Sequence, residues 1–173
     1  MKKTRLFTQI GGFGLLSLTL LAGTVRAPDG SASFSAVLTG AVKTTISGEA
    51  RFGQVRGGPS APDVVSLSLG ADSPRGAVLF TYPGLSGLRV GSYRVAEAGV
   101  RGAQVQGLVV LGSANQPEGA FRATTGTLTI TSVSDVEITG LFSMDADGFL
   151  ASAPNRENQP LSVSGSFIAR RGN

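Results

Sequence analysis

Carboxylates are the residues of this sequence whose types and spacing could support chemistry. Asp145 and Asp147 stand two positions apart just before Gly148, and closely spaced acids of this kind can supply oxygen ligands to calcium. The segment lacks a third acid at the next alternate position, and Glu157 stands too far along, behind Pro154. It is therefore interpreted as a polar turn leaving a strand, with Gly148 free to adopt positive φ. No metal ligand is predicted here.

A second pair of acids, Asp135 and Glu137, flanks Val136, so both carboxylates would project from one face of a strand. Two carboxylates separated by roughly 5 to 10 Å can hydrolyse a glycosidic bond. No cluster of aromatic residues that could bind a sugar surrounds this pair, and acids on a strand commonly form a solvated face that discourages edge pairing. We assign no catalytic role to these acids.

The composition excludes the commonest catalytic groups. The chain has no histidine and no cysteine, so it cannot form a Ser-His-Asp triad, a cysteine nucleophile or the usual zinc sites. Lys43 would have to serve any Ser/Lys dyad, and no Ser-x-x-Lys motif contains it. The glycine-rich segments 11–14 and 84–91 lack the lysine of a phosphate-binding loop. The sequence predicts a protein that is not an enzyme, with no catalytic residue, no cofactor and no metal.

The N-terminal residues are typical of a secretory signal peptide. Lys2, Lys3 and Arg5 precede an apolar run over residues 10–22, which is too short for an ordinary membrane span. Thr24 stands where a lipidated cysteine would have to be, so no lipid anchor is expected. We predict an exported protein, periplasmic or extracellular, and an uncleaved N-terminal anchor is the alternative.

The cleavage position follows from the small residues after the apolar run. Ala27 is the predicted site, although Pro28 is a poor residue after a cut, and Ala32 is the alternative. The chain then divides into a signal peptide over 1–27 and a single all-β domain over 28–173, which is long enough to bury a core.

Removal of the signal peptide changes the charge balance. The formal net charge of +4 resides in Lys2, Lys3, Arg5 and Arg26, so the rest of the chain is neutral. It gives no ground for binding nucleic acid or an anionic membrane. Four arginines could meet an anionic surface polymer if they shared one face, but solubilising charges are the interpretation that we favour: Arg89, Arg94, Arg101 and Arg122.

The element that would organise the domain is a hairpin over Gly119–Ala146. Leu128 and Ile130 alternate with threonines, and a polar break follows over residues 132–135. The alternation then resumes with residues that would share a dry face: Val136, Ile138, Gly140, Phe142 and Met144. A hairpin alone is marginal in water, so other strands must cover this face.

Those strands are predicted from the same period-two pattern and from turn residues between the runs. The ranges are 33–40, 44–55, 63–70, 77–82, 91–95, 104–112 and 161–169. Gly165 and Phe167 of the last range repeat the spacing of Gly140 and Phe142, which suits strands that cross or bend closely over a packed interior. The prediction is an all-β fold, an antiparallel β-sandwich or closed barrel of about nine strands preceded by a signal-peptide helix.

The C-terminal half resembles a family of uncharacterised bacterial exported and lipoprotein β-domains. The resemblance lies in a GT(I/L)TI strand at residues 126–131, a GxFxF-like strand at 140–146, in which Met144 replaces the usual aromatic, and a closing VxxGxF-like strand at 163–167. Gly91–Val95 is similar to the G(T/S)Y segment that precedes them. The resemblance implies a β fold and an envelope location, and it implies no activity.

Together these patterns predict an exported, non-catalytic β-domain acting as a structural or binding module of the cell envelope. One alternative is a small carrier of an apolar ligand, with a barrel cavity lined by six residues: Leu128, Ile130, Phe142, Met144, Val163 and Phe167. Another is an eight-stranded outer-membrane barrel, against which stand the few aromatics and the polar C-terminal residues. The expected partner is an envelope component or an apolar ligand, with no nucleic acid and no stable membrane span after signal removal.

Overall fold

In the computed structural model of the chain, the residues described are 31–56, 63–83, 88–97, 100, 104–154 and 157–172. The predicted signal peptide over 1–27, with its cleavage site at Ala27, lies outside them. The described residues contain no α-helix. They form ten strands: β1 (Ser33–Gly40), β2 (Thr44–Gly48), β3 (Ala50–Val55), β4 (Val64–Leu69), β5 (Gly76–Pro83), β6 (Gly91–Ala96), β7 (Gln106–Ser113), β8 (Gln116–Val133), β9 (Glu137–Leu150) and β10 (Gln159–Arg171).

The strands join into one sheet that closes into a ring. Each strand of the series β10, β3, β4, β5, β7, β8, β9 pairs with the next, and β9 pairs again with β10. These pairings are antiparallel except that of β3 with β10, a short parallel contact of Arg51 with Arg170 and of Phe52 with Arg171. The all-β prediction is confirmed, in a barrel-like form.

At two places in the ring, one long strand pairs with two shorter strands along the same edge. On β10, β1 pairs with residues 161–168 and β3 with residues 170–171. On β8, β7 pairs with residues 116–122 and β6 with residues 125–130. The predicted single strand 44–55 is therefore wrong in one respect. It changes partner at Glu49, from β1 to β4 and β10, and so forms the two strands β2 and β3.

The central hairpin is confirmed as β8 and β9, and it extends beyond the predicted ends. Leu128, Ile130 and Phe142 are buried as the alternation predicts. Val136 is not, because it lies in the turn and is 67% exposed. The turn is held by Ser134, whose Oγ accepts a hydrogen bond of 3.0 Å from the Glu137 amide.

The predicted turn after Met144 is also wrong. Asp145, Asp147 and Gly148 lie within β9, which continues to Leu150. Gly148 is needed for close packing instead of positive φ, because a side chain there would collide with the carbonyl oxygen of Ala120 on β8.

Aromatic rings fill the centre of the interior. Phe142 makes an edge-to-face contact with Phe80, with ring centroids 5.3 Å apart, and a tilted contact with Phe167 at 6.4 Å. Tyr82 of β5 and Tyr93 of β6 meet edge to face at 5.5 Å, and this ring contact joins two strands that form no ladder with each other.

Candidate functional site

The six residues predicted to line an apolar cavity all lie inside the ring, on β8, β9 and β10. Each of Leu128, Ile130, Phe142, Met144, Val163 and Phe167 is buried, with no more than 4% of its surface exposed. Two of the rings are in contact, as described above. Two concavities of the described structure are lined by other residues. A cavity bounded by these six residues stays a prediction.

A cleft of about 450 Å³ lies at one end of the barrel, where the β8–β9 turn approaches β3 and the end of β10. We call it the end cleft. Its floor is apolar and consists of buried side chains: Phe52, Val65, Leu88 and Ile138. Its rim carries exposed polar side chains: Gln54, Ser134, Asp135 and Arg171. An apolar floor with a few convergent polar groups is the usual form of a small-molecule site.

Arg171 is the best-positioned cation of the end cleft. Its guanidinium carbon lies 5.7 Å from the centroid of the Phe52 ring, within the range of a cation–π contact. The backbone fixes this corner, since the Arg171 amide donates to Val136 O at 3.0 Å and the Gly172 amide donates to Phe52 O at 2.8 Å. The same contacts that close the ring therefore place the guanidinium beside the floor.

A second concavity, of about 460 Å³, lies on the side of the barrel. At this place the neighbour of β8 changes from β6 to β7. Glu97 and Arg122 line it with opposite charges, beside the aliphatic chains of Leu79 and Leu108. Its inner wall includes Gly107. A side chain at that position would come within 2.9 Å of Met144 Sδ and of Ala123 Cβ.

The acids singled out from the sequence do not converge. Asp135 lies in the turn before β9, so it does not share a strand face with Glu137, and this prediction is wrong. Glu137 pairs with Arg170 at 3.7 Å, and Asp145 accepts a hydrogen bond of 2.7 Å from Ser162 Oγ on β10. Within the described ranges, no three acids come together in a group that could hold a metal ion.

Arginines are spread over the outer wall. Arg94 and Arg122 are exposed on β6 and β8, and Arg89 is exposed just before β6. Arg89 is tied to Tyr93, because its amide donates to Tyr93 Oη at 2.7 Å and Tyr93 Oη donates to Arg89 O at 2.8 Å. Arg101 lies outside the described residues.

Hydroxyl side chains dominate the outer wall on the half of the barrel around β9. Adjacent residues on six neighbouring strands form one outward-facing row: Ser92, Thr129, Leu141, Ser166, Ser35 and Ser47. The next row has the same character: Arg94, Thr127, Ser143, Ser164, Val37 and Thr45. Most outward positions of these two rows thus carry short hydroxyl side chains, and the apolar exceptions are Leu141 and Val37.

Among the residues that the structure describes, the clear shifts of pKa fall on an ion pair at the surface, formed by Glu49 and Arg51. Arg51 donates hydrogen bonds of 3.1 and 2.9 Å to the two oxygens of Glu49. This hydrogen bonding lowers the pKa of Glu49 and raises the pKa of Arg51. Neither residue lines either concavity. The pair stabilises the point where β2 ends and β3 begins, and it is not arranged for proton transfer.

Comparison of the chain with protein-family models, with curated proteins and with solved structures finds no match. The resemblance of the C-terminal half to exported β-domains therefore stays a prediction. No helix in the described part of the chain is both long enough and apolar enough to cross a membrane.

Sequence reasoning missed the end cleft. The alternation pattern predicts a strand over 44–55, which contains Phe52, and Arg171 is one of the polar C-terminal residues. Their contact depends on the parallel pairing of β3 with β10, which joins residues 119 positions apart. The alternation pattern predicts that both segments are strands, and it contains no signal for this pairing.

Proposed function

We propose that this chain is an exported, non-catalytic β-domain that acts as a structural or binding module of the cell envelope. The apolar run over residues 10–22 behind three basic residues supports export. The segregation of side chains between the interior and the outer wall supports a domain that faces water. The interior is packed with apolar groups such as Phe80 and Phe121, whereas the outer wall is rich in serine and threonine. A domain of this kind can be stable outside the cell without disulfides.

The same segregation of side chains favours a domain whose outer wall faces water, and it argues against the outer-membrane barrel. Such a barrel presents an apolar band to lipid and commonly a polar interior. Here the outward positions of β9 include Ser143, Asp145 and Asp147, whereas the inward Phe142 and Met144 are buried. We therefore propose the water-facing form.

The composition of the sequence supports a non-catalytic role. It has no imidazole and no thiol, which are the commonest general base and the strongest side-chain nucleophile. The end cleft is suited to binding by shape and contact.

Expression of the full chain in a bacterial host, followed by fractionation and intact mass measurement, tests the export proposal. We expect a product in the periplasm or medium that begins at Pro28, or at Ser33 if the cut follows Ala32. Leu15→Arg with Leu16→Arg, which interrupts the apolar run, should leave the full-length chain in the cytoplasm. Unprocessed wild-type chain in the cytoplasm would refute export. A product that needs detergent for release from membranes would replace the proposal with the anchored or barrel alternative.

A further inference from the structure

We infer that the end cleft binds a small amphipathic carboxylate, with its apolar part on the floor of the cleft and its carboxylate on the guanidinium of Arg171. This inference rests on the proposed function, because it names the ligand class of the binding module. It differs from the predicted apolar carrier in the place of the site, which is the end of the barrel instead of its interior.

The floor of the end cleft accounts for the apolar part of the ligand. Phe52, Leu88 and Ile138 are between 3% and 8% exposed, and all three line the cleft. The surface that they still expose is therefore concave and apolar. A volume of about 450 Å³ is in the range of small-molecule sites.

The arrangement of Arg171 accounts for the charge of the ligand. A guanidinium that lies over an aromatic ring keeps the N–H groups along its planar edge available for a bidentate carboxylate. None of the ion pairs among the described residues uses Arg171. Because the cation adjoins the Phe52 ring, one ligand can contact the apolar floor and the charge at the same time.

The rim carries both an acid, Asp135, and a cation, Arg171, and their positions determine which head-group charge the cleft favours. Both residues lie on the exposed rim, Asp135 in the β8–β9 turn and Arg171 with its guanidinium over the Phe52 ring of the floor. The head group of a ligand whose chain rests on the floor therefore meets the cation. Asp135 also lines the cleft, so its carboxylate repels an anionic head group, and salt screens this repulsion between exposed charges.

The test uses the protein purified after expression of the full chain, with or without processing by the host. Octanoate, 1-octanol and octylammonium are each titrated into it, and binding is measured from the shifts of its backbone amide NMR signals. These probes share one chain length and differ in the charge of the head group. We expect octanoate to bind most tightly and to shift the amides of Phe52, Gln54 and Ile138. Equal binding of octanoate and octanol, or tighter binding of octylammonium, would overturn the inference. So would shifts located elsewhere on the barrel.

Single-residue variants test whether Arg171 is the residue that binds the carboxylate. Arg171→Gln should weaken octanoate binding about tenfold, the effect of a lost charge-assisted hydrogen bond, and should leave octanol binding unchanged. Arg171→Lys should recover part of the loss. Arg170→Gln is the matched control, since Arg170 pairs with Glu137 and does not line the cleft. Asp135→Asn should tighten octanoate binding about twofold at low salt, a gain that salt removes.

A Gln54→Trp variant, which narrows the mouth of the cleft, should weaken the binding of both octanoate and octanol. If Arg170→Gln weakens octanoate as much as Arg171→Gln, the assignment is wrong. The binding result is independent of the export result. If the protein is exported but binds none of the probes, the ligand proposal is wrong and the export proposal stands. If the protein stays in the cytoplasm but binds octanoate, the export proposal is wrong and the ligand proposal stands.

Discussion

Gly140 of β9 lies opposite Phe167 of β10, and the ring of Phe167 covers the glycine so closely that an added Cβ would be 2.7 Å from its Cζ. Two positions further along β9 the relationship is reversed, with Phe142 opposite Gly165 and an added Cβ 2.8 Å from Cζ. Each strand therefore provides the glycine that admits the ring of the other. Rings that cover a cross-strand glycine compensate for the packing that the glycine lacks.

The first prediction concerns these glycines. Gly140→Ala and Gly165→Ala should each destabilise the fold by about 1–3 kcal/mol, because the methyl group collides with a ring and with a neighbouring carbonyl oxygen that cannot move freely. Urea denaturation measures the loss. Gly53→Ala on β3 is the matched control, since nothing lies within 4 Å of an added Cβ there, and it should be neutral or stabilising by up to about 1 kcal/mol. Equal effects at Gly53 and Gly140 would contradict the close packing.

The second prediction concerns the aromatic centre. Phe142→Ala should cost about 3–5 kcal/mol of the free energy of unfolding, since it removes the ring that contacts both Phe80 and Phe167. Leu141→Ala, one position away on the opposite face and 54% exposed, should change stability by no more than about 0.5 kcal/mol. Thermal and urea unfolding of both variants give the comparison. A small effect of Phe142→Ala would instead favour a spacious interior and with it the carrier hypothesis.

The strand pattern was largely predictable because alternation is a local property. The β1 range agrees with the prediction at both ends, and β8 and β9 contain the predicted hairpin. Repetition of Gly-x-Phe on β9 and β10 also indicated close packing, which the Gly140–Phe167 pair shows. The errors lie where a strand ends or changes partner, as at Glu49 and Val136. These places depend on which strand is adjacent, and alternation contains no information on that.

The candidate site was not predictable for the same reason. Phe52 and Arg171 belong to segments that are distant in the sequence, and their contact requires closure of the ring. The sequence suggested chemistry for Asp135 and Glu137, but one lies in a turn and the other pairs with Arg170. Pairing of distant strands brings together residues that no short motif identifies.

The third prediction is a pH effect of the Glu49–Arg51 pair. The hydrogen bonds from Arg51 lower the pKa of Glu49 in the folded state below its ordinary value of 4.5. The stabilisation is therefore fully present above the ordinary pKa and is lost as the pH falls through the lowered pKa. Glu49→Gln should lower the melting temperature slightly at neutral pH, with the difference disappearing in strong acid and shrinking in high salt.

The exposed Glu118→Gln is the control for that experiment and should not reproduce this pH dependence. A difference between wild type and Glu49→Gln that persists in strong acid would show that the substitution acts through packing or backbone changes instead of charge.

The fourth prediction concerns closure of the ring. Removing residues 170–173 deletes the parallel pairing with β3 and the last pairing with β9, Arg170 with Glu137. It also deletes the backbone hydrogen bonds from the Arg171 amide to Val136 O and from the Gly172 amide to Phe52 O. At about 1 kcal/mol for each hydrogen bond, we expect a loss of about 2–3 kcal/mol of unfolding free energy by urea denaturation, together with loss of the end cleft. The full-length double variant Arg170→Ala and Arg171→Ala keeps this backbone and should lose less. If the double variant is as unstable as the truncated chain, side chains and not backbone pairing close the barrel.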